Sequence, residues 1–142
     1  MKLLLNPTPF KLSPKFIIHL QQAIGNEEFD CEASSITLNF RDSSYSSEAG
    51  GYHPVEILLC KSGNQDKWSI SYITDFAYYG FPYAELVKEL DFDIEHFIFT
   101  TPYSKPMHIN HESVKDMFNL WQRNFLTYLE FDAYDQVEVS AS

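Results

Sequence analysis

The sequence predicts an α+β domain in which an antiparallel sheet is covered on one face by helices from opposite ends of the chain. Three observations carry this expectation. Apolar and polar residues alternate in short segments, as where Ile36, Leu38 and Phe40 are interleaved with Thr37, Asn39 and Arg41, the pattern of a half-buried strand. Two longer segments, one near each end, repeat apolar residues at three- and four-residue spacing. No internal repeat and no linker interrupts the 142 residues, so one domain spans 1–142.

Ser13-Pro14 starts the first helix, with Ser as N-cap and Pro at the first helical position. Phe16, Ile17, Leu20 and Ile24 then mark its apolar face, and Gly25 stops it. Residues 26–34 are polar and acidic. After the strand at 36–41, the turn formers of 42–51 predict a long, exposed connection that ends in a Gly50-Gly51 hinge. Val55, Ile57 and Leu59 define a second strand, and the break at 62–66 leads into a third, with Trp68, Ile70, Tyr72, Thr74 and Phe76 expected on one face. Leu86, Val87 and Leu90 fall three and four apart, which predicts a short helical turn over 83–90 behind Pro82. Phe97 and Phe99 mark a further strand stopped by Thr101-Pro102, and a loop containing Pro106 runs to Asn110, the expected cap of a long helix. That helix carries Val114, Met117, Phe118, Trp121, Phe125, Tyr128 and Leu129, with Trp121 and Phe125 packed on the sheet and Glu112 in the first turn, where the macrodipole favours an anion. Tyr134 to Val139 reads as a last strand or ordered tail.

Composition narrows the function classes. Hydrophobic residues make up 44% and charged residues 21%, too apolar for a disordered tail and too interrupted by charge for a membrane span. Lys and Arg number 10 against 20 Asp and Glu, a formal net charge of −10, which disfavours direct contact with a phosphate backbone. The apolar run Leu3-Leu4-Leu5 ends at Asn6 and Pro7, too short for the core of an export signal. Cys31 and Cys60 belong to no CxxC motif and read as buried free thiols. A soluble protein of the reducing cytoplasm is the expectation.

Individual motifs point weakly to chemistry. His108, His111 and Glu112 have the residue types of a metal site, but HxxHE lacks the spacing of HExxH and has no third ligand at a fixed distance. Asp91, Asp93 and Glu95 could hold a hard cation, yet alternation with Phe92 and Ile94 inward simply places them together in water. Glu56 and Asp75 are single carboxylates in apolar strands, expected on the wet face, though either could be a perturbed acid in a cleft. A Cys60–His53 nucleophile pair fails, because seven residues of one strand span about 23 Å and end on opposite faces. Nucleotide-binding glycine motifs are absent from the sequence. The aromatic run Tyr72, Phe76, Tyr78, Tyr79, Phe81 and Tyr83 lacks the Lys and Arg of a base-stacking surface and fits core packing with a protein interface.

Residues 39–45 (NFRDSSY), 50–57 (GGYHPVEI), 72–78 (YITDFAY) and 85–93 (ELVKELDFD) resemble a small bacterial family of unknown function typified by a Vibrio pathogenicity-island protein. The resemblance is close over 39–93 and looser over the flanking helices. It implies a fold similar to the mitochondrial acidic matrix protein, also called the complement globular-head receptor, with a twisted antiparallel sheet of about seven strands flanked by N- and C-terminal helices. The segments counted above give five. Proteins of that fold group are acidic, oligomeric binding proteins with no established active site, so no catalytic residue carries over. The short C-terminal helical region followed by Tyr134–Val139 departs from the mitochondrial protein, and the resemblance does not extend to its ring-shaped trimer.

The expected function is therefore that of a non-enzymatic acidic protein engaging a basic protein partner, with Asp91, Asp93, Glu95, Tyr78 and Tyr79 as the candidate partner-binding residues. No catalytic, cofactor or metal residue is assigned, and neither nucleic acid nor membrane is an expected partner; a homo-oligomer fits the fold group. The alternative is a DNA mimic that inhibits a DNA-binding protein, for which carboxylates regularly spaced along an elongated surface would stand in for phosphates. An enzyme using Asp91/Asp93 or Glu56/Asp75 would need a concave pocket with convergent polar groups.

Overall fold

In the computed structural model, which describes residues 3–25, 33–61 and 66–142, the Ser13 side chain accepts a hydrogen bond from the Lys15 N–H and Pro14 opens helix α1 (Pro14–Ile24). Gly25, at φ +55°, ends it by donating its N–H to Gln21. Six strands then follow: β1 (Ser35–Arg41), β2 (Val55–Lys61), β3 (Trp68–Tyr79), β4 (Glu85–Asp93), β5 (Ile98–Thr101) and β6 (Ser104–His108). Helix α2 (Glu112–Glu130) precedes the last strand, β7 (Gln136–Ala141). The strands form one sheet in the order β6-β5-β4-β3-β2-β1-β7, antiparallel throughout.

One core joins both helices to one sheet face. Phe16, Leu20 and Ile24 of α1 and Val114, Phe118, Trp121 and Phe125 of α2 pack with Leu38, Ile57, Ile73 and Phe92. Rings dominate the contact. Phe118 stacks on Phe10 with centroids 4.1 Å apart, while Phe92 meets Phe118 edge-on at 5.3 Å and Phe125 meets Phe40 edge-on at 5.2 Å, the last two in the edge-to-face geometry that aromatic quadrupoles favour beyond burial. The buried Gln122 side chain fastens α2 to the N-terminal segment, accepting from the Ser13 N–H at 2.9 Å and donating to the Lys11 carbonyl at 3.2 Å. Among the described residues no helix is long and apolar enough to cross a membrane.

The structure corrects several expectations. Residues 83–90 form no helical turn; they lie in and before β4, paired with β3 from Tyr79↔Glu85 to Tyr72↔Asp93. The helix-like step from Val87 to Leu90 comes from a bulge: Asp75 pairs with Leu90 and Phe76 with Lys88, leaving Glu89 as the extra residue. A second bulge, where Leu58 pairs with Tyr72 but Leu59 with Ile70, inserts Ser71 and switches the faces of β3. Trp68 and Ile70 are buried as expected, but beyond the bulge Ile73 takes the core position and Tyr72 turns away to bond Glu56. Phe97 lies outside β5 at φ +60°, exposed and stacked on His108. The expected Pro106 loop contains β6, an edge strand, where a residue without an N–H is tolerated. His111 rather than Asn110 caps α2, its Nδ1 accepting from the Ser113 N–H at 3.1 Å.

The 42–51 connection is exposed over most of its length but pinned. Asp42 accepts from the N–H groups of Ser44 and Tyr52, and Asp135 accepts from the Ser43 N–H at 2.8 Å. Gly51 is required where it stands: at φ +135°, an added Cβ would come within 3.0 Å of the Tyr45 Cα. Cys60 is a half-buried free thiol whose pKa burial pushes up; Cys31 and most of the acidic 26–34 stretch lie outside the described residues.

Replacing Phe118, which is 0% exposed and meets rings on several sides, by Ala leaves a cavity at the centre of the core. The expected loss is about 3–5 kcal/mol, read as a shift of the urea midpoint. A midpoint within error of wild type would remove α2 from the core.

Candidate functional site

The candidate partner-binding residues all lie on the β3–β4 hairpin and its continuation, but at separated places. Tyr78 and Tyr79 pair with Leu86 and Glu85 near the tip, whereas Asp91 and Asp93 pair with Thr74 and Tyr72. Four to seven residues along β3 separate the two groups, about 13–23 Å at strand rise. The inward side chains are Phe92 and Ile94, as expected. Asp91, Asp93 and Glu95 are more engaged than a simple wet face implies. Asp91 accepts from the Thr74 hydroxyl at 2.8 Å and lies 3.8 Å from the Lys88 Nζ, Asp93 pairs with His96 at 2.9 Å, and Glu95 accepts from Ser71 at 2.9 Å.

Beyond Tyr78 and Tyr79 the hairpin tip projects Phe81, 98% exposed, and Tyr83, 88% exposed. Tyr79 meets the exposed Tyr103 edge-on at 5.9 Å. Tyr78 stacks on Tyr45, centroids 5.1 Å apart, and donates its N–H to the Tyr45 hydroxyl at 3.1 Å.

A cleft of about 280 Å³ opens between the sheet and α2. His53, just before β2, Asp75 of β3 and Glu89 of β4 converge in it. Asp75 thus stands on the helix side, not on the expected wet face, while Glu56 takes the hydroxyl of Tyr72 on the opposite face. The Asp75 carboxylate is held at both oxygens. The Trp121 indole N–H donates to Oδ2 at 3.0 Å, and His53 Nδ1 lies 3.2 Å from Oδ1. The same Nδ1 is 2.9 Å from Glu89 Oε2. One ring N–H serves one oxygen in line, and Glu89 Oε2 is left buried without a hydrogen-bond partner among the described residues. The bulge aims Glu89 here.

The hydrogen bond to Asp75 raises His53 above its ordinary pKa, with the charges of Asp75 and Glu89 adding to the effect against desolvation. Burial raises Glu89 above the ordinary carboxylate range, against the opposing pull of His53. His108 and His111 do not join this site: each turns its Nδ1 to a local backbone N–H, of Asn110 and Ser113.

Asp75 was visible in the sequence as a lone carboxylate in an apolar strand. Glu89 and His53 were not singled out with it, because their convergence depends on a bulge and on a non-strand residue that no local pattern marks.

The antiparallel sheet with both helices on one face places the molecule in a known structural class. The hypothetical protein VC0508 from the VSP-II pathogenicity island of Vibrio cholerae superposes with a TM-score of 0.90 at 34% identity, over 99% of this chain and 100% of that one. VC1805, from pathogenicity island VPI-2 of the same species, gives 0.78 at 37% identity over 96% and 100%, and is described as sharing structural homology with the human P32 protein, the mitochondrial acidic matrix protein. The chain belongs to the family DUF2787, described as a protein of unknown function, whose model matches residues 14–140. No curated protein matches it.

Because His53 and Glu89 both hold protons more tightly in the folded chain than in the unfolded one, the sign of the pH effect is the same for both. The contribution of His53 is complete below 6.5 and is lost as pH rises through its higher folded value; that of Glu89 is complete below 4.5 and is lost as pH rises above it. The NMR titration midpoint of the His53 ring should lie above 6.5 and fall in Asp75→Asn. A wild-type midpoint at or below 6.5 would contradict the proximity of the two carboxylates.

Proposed function

We propose that this protein is a non-enzymatic binding module that engages a basic protein partner through the aromatic tip of the β3–β4 hairpin and the acid-bearing strand behind it. The observation that carries this reading is the projection of Phe81 and Tyr83, nearly fully exposed, from a chain of net charge −10. Large rings left in water at a projecting turn are the side chains that anchor interfaces when a partner buries them. Tyr78, Tyr79 and Tyr103 extend the apolar surface, and Glu85, Asp91 and Asp93 supply negative charge along the same hairpin. Electrostatic complementarity of this kind speeds encounter and selects basic partners, while the rings supply the affinity.

The test compares three sets of variants for capture of basic proteins from a lysate of the source cell at low salt, quantified by mass spectrometry. Phe81→Ala with Tyr83→Ala should lower capture of a specific partner at least tenfold. Asp91→Asn, Asp93→Asn and Glu95→Gln together should slow association and flatten its salt dependence. Glu48→Gln, Asp66→Asn and Asp116→Asn, three exposed acids elsewhere, should change little. Equal losses for both acidic sets would reduce the effect to bulk charge, capture unaffected by the tip variant would overturn the hairpin as the surface, and a captured DNA-binding protein displaced by duplex DNA would establish the mimic instead.

A further inference from the structure

We propose that His53, Asp75 and Glu89 form a binding site for one divalent transition-metal ion of the zinc class, at the floor of the cleft between the sheet and α2. The three side chains come from three separate chain segments, and one donor atom from each lies within 4.8 Å of the others. The separations from His53 Nδ1 are 3.2 Å to Asp75 Oδ1 and 2.9 Å to Glu89 Oε2. Ligands about 2.1 Å from a tetrahedral zinc ion lie roughly 3.4 Å from one another, so a small opening of the two contacts admits the ion.

Three further features separate this arrangement from a chance cluster of surface acids. The groups line a half-open cleft rather than a flat surface, with side-chain exposures of 38%, 14% and 21% for His53, Asp75 and Glu89. Trp121 donates to the far oxygen of Asp75 and leaves Oδ1 turned to the site, the orienting role that groups behind a metal ligand perform. Glu89 Oε2 is a buried carboxylate oxygen whose one neighbouring donor atom, His53 Nδ1 at 2.9 Å, is shared with Asp75 and makes no in-line hydrogen bond to it, so its desolvation is only partly offset.

The donor set selects the ion. One imidazole and two carboxylates suit zinc, cobalt or manganese better than calcium or magnesium, which take oxygen ligands in larger number. Three protein ligands leave a fourth position, which faces the cleft and is available to water or to an oxygen or nitrogen donor of a small ligand.

Without the metal, a proton on Nδ1 holds the same groups together, so metal and proton compete. Binding through Nδ1 requires the neutral ring and releases that proton to solvent. Asp75 from β3, Glu89 from β4 and Tyr45 from the connection before His53 face this ring, and α2 presents Trp121, Asn124 and Tyr128 to the cleft without a charged side chain.

The full chain, stripped with a chelator, is titrated with ZnCl₂ by calorimetry and with CoCl₂ by visible absorption. Wild type should bind one equivalent of each, show the intense bands of low-coordinate cobalt, and unfold at a temperature that rises with zinc concentration. Glu89→Gln and His53→Gln should each weaken binding at least tenfold, and Trp121→Phe, which keeps a ring but removes the N–H, should also weaken it about tenfold. The near-ultraviolet circular dichroism of each variant shows whether it is folded; Glu89→Gln, at a half-buried bulge, is the variant least demanding of the core. His108→Gln with His111→Gln should leave binding unchanged. The proposal is overturned if folded wild type takes up no stoichiometric zinc or cobalt, if Glu89→Gln and His53→Gln bind as wild type does, or if binding is lost with His108 and His111 instead.

Discussion

The ladder of aromatic rings between α2 and the sheet is the contact on which the other features depend. Phe10, Phe92, Phe118, Trp121, Phe125 and Phe40 meet in succession, stacked, tilted or edge to face, and they fix both the height of α2 above the sheet and its rotation about its own axis. Rotation matters because Trp121 is shared. Its ring packs against Phe92, Phe125 and Phe16, while its N–H reaches Asp75. A helix turned by one residue, about 100°, would lose the ring contacts and the hydrogen bond together. The position of the cleft floor is thus set by core packing.

Placing both helices on one face has a second consequence, for the carboxylates of the other. Glu56, Asp91 and Glu95 each accept from a hydroxyl, of Tyr72, Thr74 and Ser71 respectively. The first two bonds cross between neighbouring strands, and the Tyr72 pKa is raised by the partial burial of the phenol and by its hydrogen bond to the Glu56 carboxylate. Acidic residues on this face are therefore integrated into the sheet by cross-strand bonds, which keeps the charges at fixed positions. In the cleft the balance differs: Asp75 has two donors, Glu89 has an unpaired oxygen, and a single imidazole stands between them.

Both helices, the first two strands and the α+β class were legible because the local signals are strong there: Ser13-Pro14 and Gly25 bracket α1, and the spacing of Val114 to Phe125 fixes the buried face of α2. What was not legible traces to bulges and edges. An extra residue at Glu89 turns a two-residue period into a three-residue step, which read as helix, and the extra Ser71 reverses the faces of β3 partway along. Strand β6 contains Pro106 and buries little, so its evidence is the pairing with β5, a long-range fact absent from local sequence. The candidate site was hidden for the same reason. Asp75 drew notice as a lone acid, but its side of the sheet depends on the bulge, and its partners come from positions 53 and 89, which are adjacent only after three strands have paired.

The cleft and the projecting hairpin form one mechanical unit, and Tyr45 joins them. Its ring lies 5.2 Å from His53 on one side and 5.1 Å from Tyr78 on the other, and its hydroxyl holds the Tyr78 N–H. Tyr45 is itself positioned by the pinned connection, in which Asp42 accepts from Tyr52 and Ser44 and the absence of a side chain at Gly51 lets the two strands of the loop approach. Since Glu89 lies on β4, within the same hairpin, His53 contacts the hairpin at two places: through the Tyr45 stack against β3 and through Glu89 of β4. Stiffness at the base of a projecting turn governs how much conformational freedom Phe81 and Tyr83 lose when they are buried, and a preorganised anchor binds with less entropic loss. The three half-buried ionisable side chains of the cleft are thus joined by direct contacts to the hairpin that carries Phe81 and Tyr83.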